Sequence, residues 1–179
     1  PPWVDIRKDA APFGHYDSGA MFANRLWSDV TGICMHQTAC TLGERPLRWK
    51  TVHAHLGVTK SGQRLHIHDF TKVSDHGHGW NNRCIGIEGD GLYAGLKGGK
   101  VWDDPTTAIH ETADTPTLEL IEGYKDAIRF AYNTVKANGG NVKFLVAHRQ
   151  ASDTRRDDPG QELWQLVALP MMKELGLSD

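Results

Sequence analysis

The sequence predicts an α/β protein, a single domain with a central mixed β-sheet flanked by helices, and three observations carry that expectation. Short runs rich in β-branched and apolar residues, "VTGICMHQTA", "CIGIEGDG" and "VKFLVAH", are spread along the chain. A long segment with apolar residues at three- and four-residue spacing separates the second run from the third. The order is therefore strands, helix, strand, helix, which lays helices against one sheet. At 179 residues the chain is the size of one domain and can bury roughly 70% of its unfolded surface.

In chain order, residues 1–30 read as an N-terminal extension, 31–164 as the region bearing the motifs, and 165–179 as a C-terminal helix. "VTGICMHQTA" is the first strand, with His36 at its exit. "HAHLGVTKSGQRLHIHD" holds two strand-like runs around the turn "KSG", a hairpin. "CIGIEGDG" puts Ile85 and Ile87 on one face and Cys84, Gly86 and Glu88 on the other. Residues 89–114, rich in glycine and without a steady period, read as a long surface loop. Thr115-Pro116 looks like an N-cap followed by proline at the first helical position; Ile121, Tyr124, Ile128, Ala131 and Val135 then mark a helix of about five turns that ends at Gly139-Gly140. "VKFLVAH" delivers His148 at its end, and "QELWQLVALPMMKEL" is a last helix bent or broken at Pro170.

A formal charge of -2 with 23% charged residues gives no basic excess for nucleic acid or anionic lipid. No apolar run approaches the ~20 residues of a membrane span. The N-terminus "PPWVDIRKDAAPFG" has neither the layout of a signal peptide nor an initiator Met, so a processed protein or an excised domain is expected. Cys34, Cys40 and Cys84 are an odd set and predict thiols rather than a disulfide framework.

The chemistry gathers at strand ends. His36, His148 and Asp158 are two imidazoles and a carboxylate, the ligand set of an open catalytic zinc site with a fourth position for water. Glu88, on a neighbouring strand, is the candidate base. A rival metal site uses the H-x-H pairs His53/His55, His66/His68 and His76/His78, since residues two apart on a strand face the same way. Trp80, Tyr93 and Trp102 are candidates for stacking on sugar rings or for packing.

Four motifs in order give a resemblance. "ICMHQTA" is similar to a strand ending in His-His-Thr-Ala, with Gln37 in place of the second His; "HAHLGVTKSGQ" resembles a hairpin; "HGHGWNNRCIGIEGDG" resembles a His-Ala-Gly turn, an Asn and a strand ending in an acid; "HRQASDTRRDDPGQELW" resembles the run that supplies the last two ligands. From about residue 31 to 164 the chain thus resembles the zinc-dependent N-acetylmuramoyl-L-alanine amidases of the type 2 class, which share their fold with peptidoglycan recognition proteins. The resemblance implies one zinc ion on His36, His148 and Asp158, with Glu88 as catalytic acid/base and Arg156, where the family has Lys, beside the developing oxyanion. It also implies a cleft for substrate lined by His55, His76, Asn81 and Trp80. The expected reaction is hydrolysis of the amide between N-acetylmuramic acid and L-alanine in peptidoglycan or muropeptides, by a monomer without nucleic-acid partners. The expected place of action is the cell wall, for a secreted, periplasmic or phage-released protein, with cytoplasmic recycling left open. The alternative in another class is a module that binds peptidoglycan without cutting it. Non-catalytic relatives typically lose a ligand, and here all three positions are filled.

Overall fold

The computed structural model describes residues 3–10, 23–95, 113–151 and 157–179. Its strands are β1 (Trp3–Asp5), β2 (Gly32–Gln37), β3 (Leu56–Val58), β4 (Arg64–His66), β5 (Cys84–Gly89) and β6 (Phe144–Ala147). They form one six-stranded sheet in the order β1-β4-β3-β5-β2-β6. Only β3 and β4 are antiparallel, joined by the expected hairpin; the other pairings are parallel, so the sheet is mixed. β2 has parallel partners on both sides and is buried along its whole length, which is why it reads as a nearly continuous apolar run. β1 lies inside the stretch read as an extension: it pairs with β4 at the sheet edge, and Trp3 meets Phe130 with ring centroids 4.4 Å apart.

Helix α1 (Leu118–Ala137) begins two residues later than the sequence suggests. Its N-cap is Thr117, whose Oγ1 accepts the Leu120 N–H at 3.1 Å, so Pro116 precedes the cap. The same hydroxyl donates to the Lys60 carbonyl at 2.5 Å and ties the start of the helix to the hairpin turn. Leu120, Ile121, Tyr124, Ala127, Ile128, Ala131 and Val135 line the buried face, and Gly139 at φ 86° ends the run. That face packs on Ile33, Met35, Ile85, Ile87, Leu56 and Val58, the main core.

The last helical stretch runs through α2 (Gln161–Leu163), a π-helical turn (Trp164–Ala168) and α3 (Leu169–Leu175). Pro170 has no N–H to give Leu166, and the widened turn just before it absorbs the loss without ending the helix. Residues 90–95 are not surface loop: Asp90, Gly91, Leu92, Tyr93 and Gly95 are buried. Of the rest of the expected loop, residues 96–112 lie outside the described residues, and the Asp114 N–H returns to the Leu92 carbonyl at 2.7 Å.

Gly123 shows how closely α1 sits on the hairpin. A Cβ there would lie 2.8 Å from Val58 Cγ1 and 2.9 Å from the Gly62 carbonyl oxygen. Alanine in a helix gains about 1 kcal/mol over glycine, while overpacking against a backbone that cannot turn aside costs about 1–3 kcal/mol. Gly123→Ala should therefore lower the melting temperature despite the better helix former; a rise would show that the two elements are not in contact.

Candidate metal centre

β2, β5 and β6 run parallel and their carboxyl ends open on one side of the sheet, the usual place for a site in an α/β protein. His36 and Glu88 are register partners on β2 and β5, so their side chains leave the same face; His148 follows β6 directly. Below them on that face lie Cys34, Gly86 and Val146, opposite the isoleucines that meet α1. Asp158 arrives from the run after the last strand.

Three of the predicted residues converge. His36 Nδ1 is 3.2 Å from His148 Nδ1 and 3.4 Å from Asp158 Oδ2, and His148 Nδ1 is 2.7 Å from the same oxygen. All three side chains are buried. Two imidazole nitrogens and a carboxylate oxygen this close need a hydrogen or a cation among them; the Nδ1–H of one His148 tautomer serves, and so does a metal ion. For zinc held at about 2.0–2.1 Å from nitrogen, tetrahedral ligand atoms sit roughly 3.3 Å apart, close to the separations of His36 from its two partners. Burial pushes the Asp158 carboxyl up, and His36 and His148 together outweigh this and hold it at about 2. The donors fit a divalent cation.

The tautomer of His36 follows from its neighbours. The Cys84 carbonyl can only accept, so His76 donates to it through Nε2 at 3.2 Å, and His76 Nδ1 is left to accept from His36 Nε2 at 3.0 Å. His36 Nδ1 then presents a lone pair toward His148 and Asp158. His76 was expected to line the cleft; it orients the His36 ring instead, and it could do so only because Gly86 lacks a Cβ, which would fall 2.6 Å from its ring.

Other expected cleft residues are placed differently. His55 is 0% exposed, accepts the Gly86 N–H through Nδ1 and has Nε2 2.9 Å from the Lys72 carbonyl, so it cannot reach a substrate. The Asn81 amide is used within its own loop, accepting the Gly77 N–H and donating to Asp75, each at 2.7 Å. This holds Gly77 against His36 and His148. Trp80 packs on Phe144 at 5.9 Å with the Arg83 guanidinium 4.7 Å over its ring. Tyr93 is core, its hydroxyl donating to the Asp90 carbonyl at 2.6 Å. Arg156 and Trp102 lie outside the described residues. Among the described residues the donor groups are His36, His148, Asp158 and Cys34, His36, His76, and neither holds both members of an H-x-H pair.

Two further residues shape the site. Tyr124, read only as part of an apolar helix face, accepts the His36 N–H at 3.0 Å and lies within donating distance of the His36 and Ile87 carbonyls, bridging the strands beside the His36–Glu88 pair. A tyrosine in an apolar stripe was the available signal, because a buried phenol needs a partner. Arg25, also buried, donates to the carbonyls of Phe70, Asn81 and Cys84 and so fastens the loop over the site.

A mixed sheet with a buried two-histidine, one-carboxylate group across its strand ends defines an α/β protein with a site that could hold a metal at the carboxyl ends of β2 and β6. The chain belongs to the N-acetylmuramoyl-L-alanine amidase family, whose model matches residues 26–161. Among solved structures it is similar to an endolysin N-acetylmuramoyl-L-alanine amidase from Clostridium intestinale, at 14% identity over 99% of this chain and 97% of that one, with a TM-score of 0.62. It is also similar to a variant of Drosophila PGRP-LB in complex with tracheal cytotoxin, at 14% identity over 99% and 96% of the two chains with a TM-score of 0.60. A third is the endolysin of a Thermus scotoductus bacteriophage, at 18% identity over 94% and 97% with a TM-score of 0.58. No curated protein sequence matches significantly.

The buried histidines make stability depend on pH. Burial, with Arg25 adding to it, pushes His55 well below the ordinary 6.5; burial and His36 do the same to His76, and burial takes His68 to about 4. These groups are depressed in the folded state, so below 6.5 the unfolded chain binds protons that the folded chain does not. Stability should be fully present above that value and fall as pH drops through it, each histidine adding a slope approaching about 1.4 kcal/mol per unit. Urea unfolding with excess chelator at pH 7.5, 6.5 and 5.5 checks this; equal stability at all three would contradict neutral burial.

Proposed function

We propose that the protein hydrolyses the amide between N-acetylmuramic acid and L-alanine in peptidoglycan or muropeptides, with zinc held by His36, His148 and Asp158. The observation that carries the reading is that all three donors are present and face one another beside Glu88, where a module that only bound the wall would have no use for them. Membership of the amidase family, the endolysins among the similar structures and the relative seen with tracheal cytotoxin support the substrate class.

Zinc in this site would polarise the scissile carbonyl and bring the attacking water toward ionisation near neutral pH. The remaining chemistry belongs to the chain. Glu88 shares a face with His36 and is half-buried. Gly57, its partner on the other side, carries no side chain, and the buried Trp49 ring fills that room as an apolar wall. Glu88 takes the proton of the attacking water and delivers it to the departing alanine nitrogen. His76 keeps His36 in the metal-binding tautomer throughout. The proposed place of action is the cell wall.

Digestion of purified peptidoglycan, followed by mass spectrometry, should show free stem peptides with a new alanine amino terminus and intact glycan strands. New reducing sugar ends, or cuts inside the stem, would assign the chemistry elsewhere. In the same assay Glu88→Gln should keep fold and zinc yet lose roughly 10²-fold or more in turnover; wild-type rates would remove Glu88 from the base role.

Metal analysis tests the ligands separately. One zinc per chain is expected, lost or strongly weakened in Asp158→Ala and retained in Asp157→Ala, because only the Asp158 carboxylate faces the histidines. The reverse pattern would refute the assignment.

A further inference from the structure

We infer that Gln37 is a positioning residue that sets where Asp158 stands, by gripping the chain that carries it over the end of β2. The inference rests on the zinc-site reading above, but metal binding rather than wall cleavage tests it.

Gln37 follows His36, so strand alternation turns its side chain to the opposite face, away from the histidines. It is not a ligand, yet it is only 3% exposed. Its Nε2 donates to the Asp157 carbonyl at 2.5 Å and to the Tyr93 carbonyl at 3.2 Å, while Oε1 accepts the Tyr93 N–H at 2.7 Å. Its backbone N–H donates to Asp158 Oδ1 at 2.8 Å. Residues 157–158 therefore cross the end of β2 with Gln37 holding both, one through its side chain and one through its backbone.

The support behind this grip is firm. Tyr93 is buried, the Gln161 N–H donates to the Ala94 carbonyl at 2.8 Å, and a Cβ on Gly160 would lie 2.3 Å from Tyr93 Cβ. The 93–94 stretch thus contacts both Gln37 and the chain just beyond Asp158. With Oδ1 taken by the Gln37 N–H, Oδ2 is the oxygen left facing His36 and His148. One short stretch of β2 thus contributes a ligand, His36, and fixes the orientation of another.

The chemistry of the side chain matters. Two donors and one acceptor from a single planar group are what a primary amide supplies; a neutral imidazole has one of each, and a carboxylate has no donor. The sequence departs from its resembled motif at this very position, where a second histidine is usual. Arg149, whose backbone N–H reaches the Asp158 carbonyl at 2.8 Å, holds the run from the other side, so loss of Gln37 should loosen the carboxylate without releasing the segment.

The experiment compares wild type with Gln37→Met, which keeps length and burial but removes every side-chain hydrogen bond. Zinc affinity is measured by chelator competition, and the visible spectrum of the cobalt-substituted protein reports the ligand field. Val167→Ala, a core substitution in the last helical stretch at a residue that is none of the donors, controls for a general loss of stability. We expect Gln37→Met to bind zinc about 10- to 100-fold more weakly, the scale for groups that orient a ligand, with a shifted cobalt spectrum, and Val167→Ala to bind as wild type. Should the Met variant fail to fold, Gln37→His decides on the same readouts, since it can keep only one of the two donors and should also weaken zinc. Wild-type affinity and an unchanged cobalt spectrum in the folded variant would overturn the inference while leaving the zinc site standing. A wild-type chain that bound no zinc would instead overturn the site reading, and the inference with it.

Discussion

A carboxylate that is 3% exposed must be met by donors or cations on both oxygens, and the way Asp158 is met governs most of what surrounds it. One oxygen takes the Gln37 N–H; the other faces His148 and His36. Three separate stretches, the ends of β2 and β6 and the run at 157–160, must therefore finish within a few ångströms of one another. Parallel strands make this achievable, because their carboxyl ends emerge together, and a crossover helix between β5 and β6 leaves β2 between two parallel partners.

The sheet divides the work between its faces. On one, Ile33, Met35, Ile85 and Ile87 bury against α1 and provide the apolar burial that holds the domain together. On the other, the same strands carry Cys34, His36, Gly86, Glu88, Val146 and, just beyond, His148. Tyr124 is where the faces communicate, since a helix residue anchored in the core places its hydroxyl on the backbone of His36 and Ile87. Movement of α1 relative to the sheet would be felt at the His36 backbone through this hydroxyl. Arg25 performs the corresponding task for the loop on the far face, with three carbonyls in place of an ion pair; burial lowers its pKa to about 10, which leaves it charged at neutral pH and opposes protonation of His55 and His76.

Strand periodicity and strand-end position were legible in the sequence, and with them the sheet, the hairpin, the long helix and the meeting of His36, His148 and Asp158. These are local patterns, or motifs whose order is itself the signal. The errors arose where the local pattern does not fix a residue's partner, whether that partner is distant in sequence, as for His55, or within the same loop, as for Asn81. His55 and Asn81 sit within recognisable motifs, but whether a polar side chain faces a cleft or a backbone group depends on what lies opposite, Gly86 in one case and Gly77 in the other. β1 went unseen because three residues carry little period, and its partner β4 lies about sixty residues on. The start of α1 moved because Thr115 and Thr117 are equivalent as sequence; the Lys60 carbonyl distinguishes them.

The small residues of the site face held information of the same kind. Along β5 the face shared by Glu88 also carries Cys84 and Gly86, and a glycine in a strand with well-packed neighbours signals close approach of another group. Here the group is the His76 ring, whose approach over Gly86 allows it to accept the hydrogen bond of His36 Nε2–H and leave Nδ1 toward the other donors. Gly57 repeats the device one strand away, where the Trp49 ring lies over it beside Glu88. A Cβ at Gly86 would press on the ring that orients His36, and one at Gly57 on the ring beside Glu88. Each glycine is thus tied to the site face through an aromatic ring that lies over it.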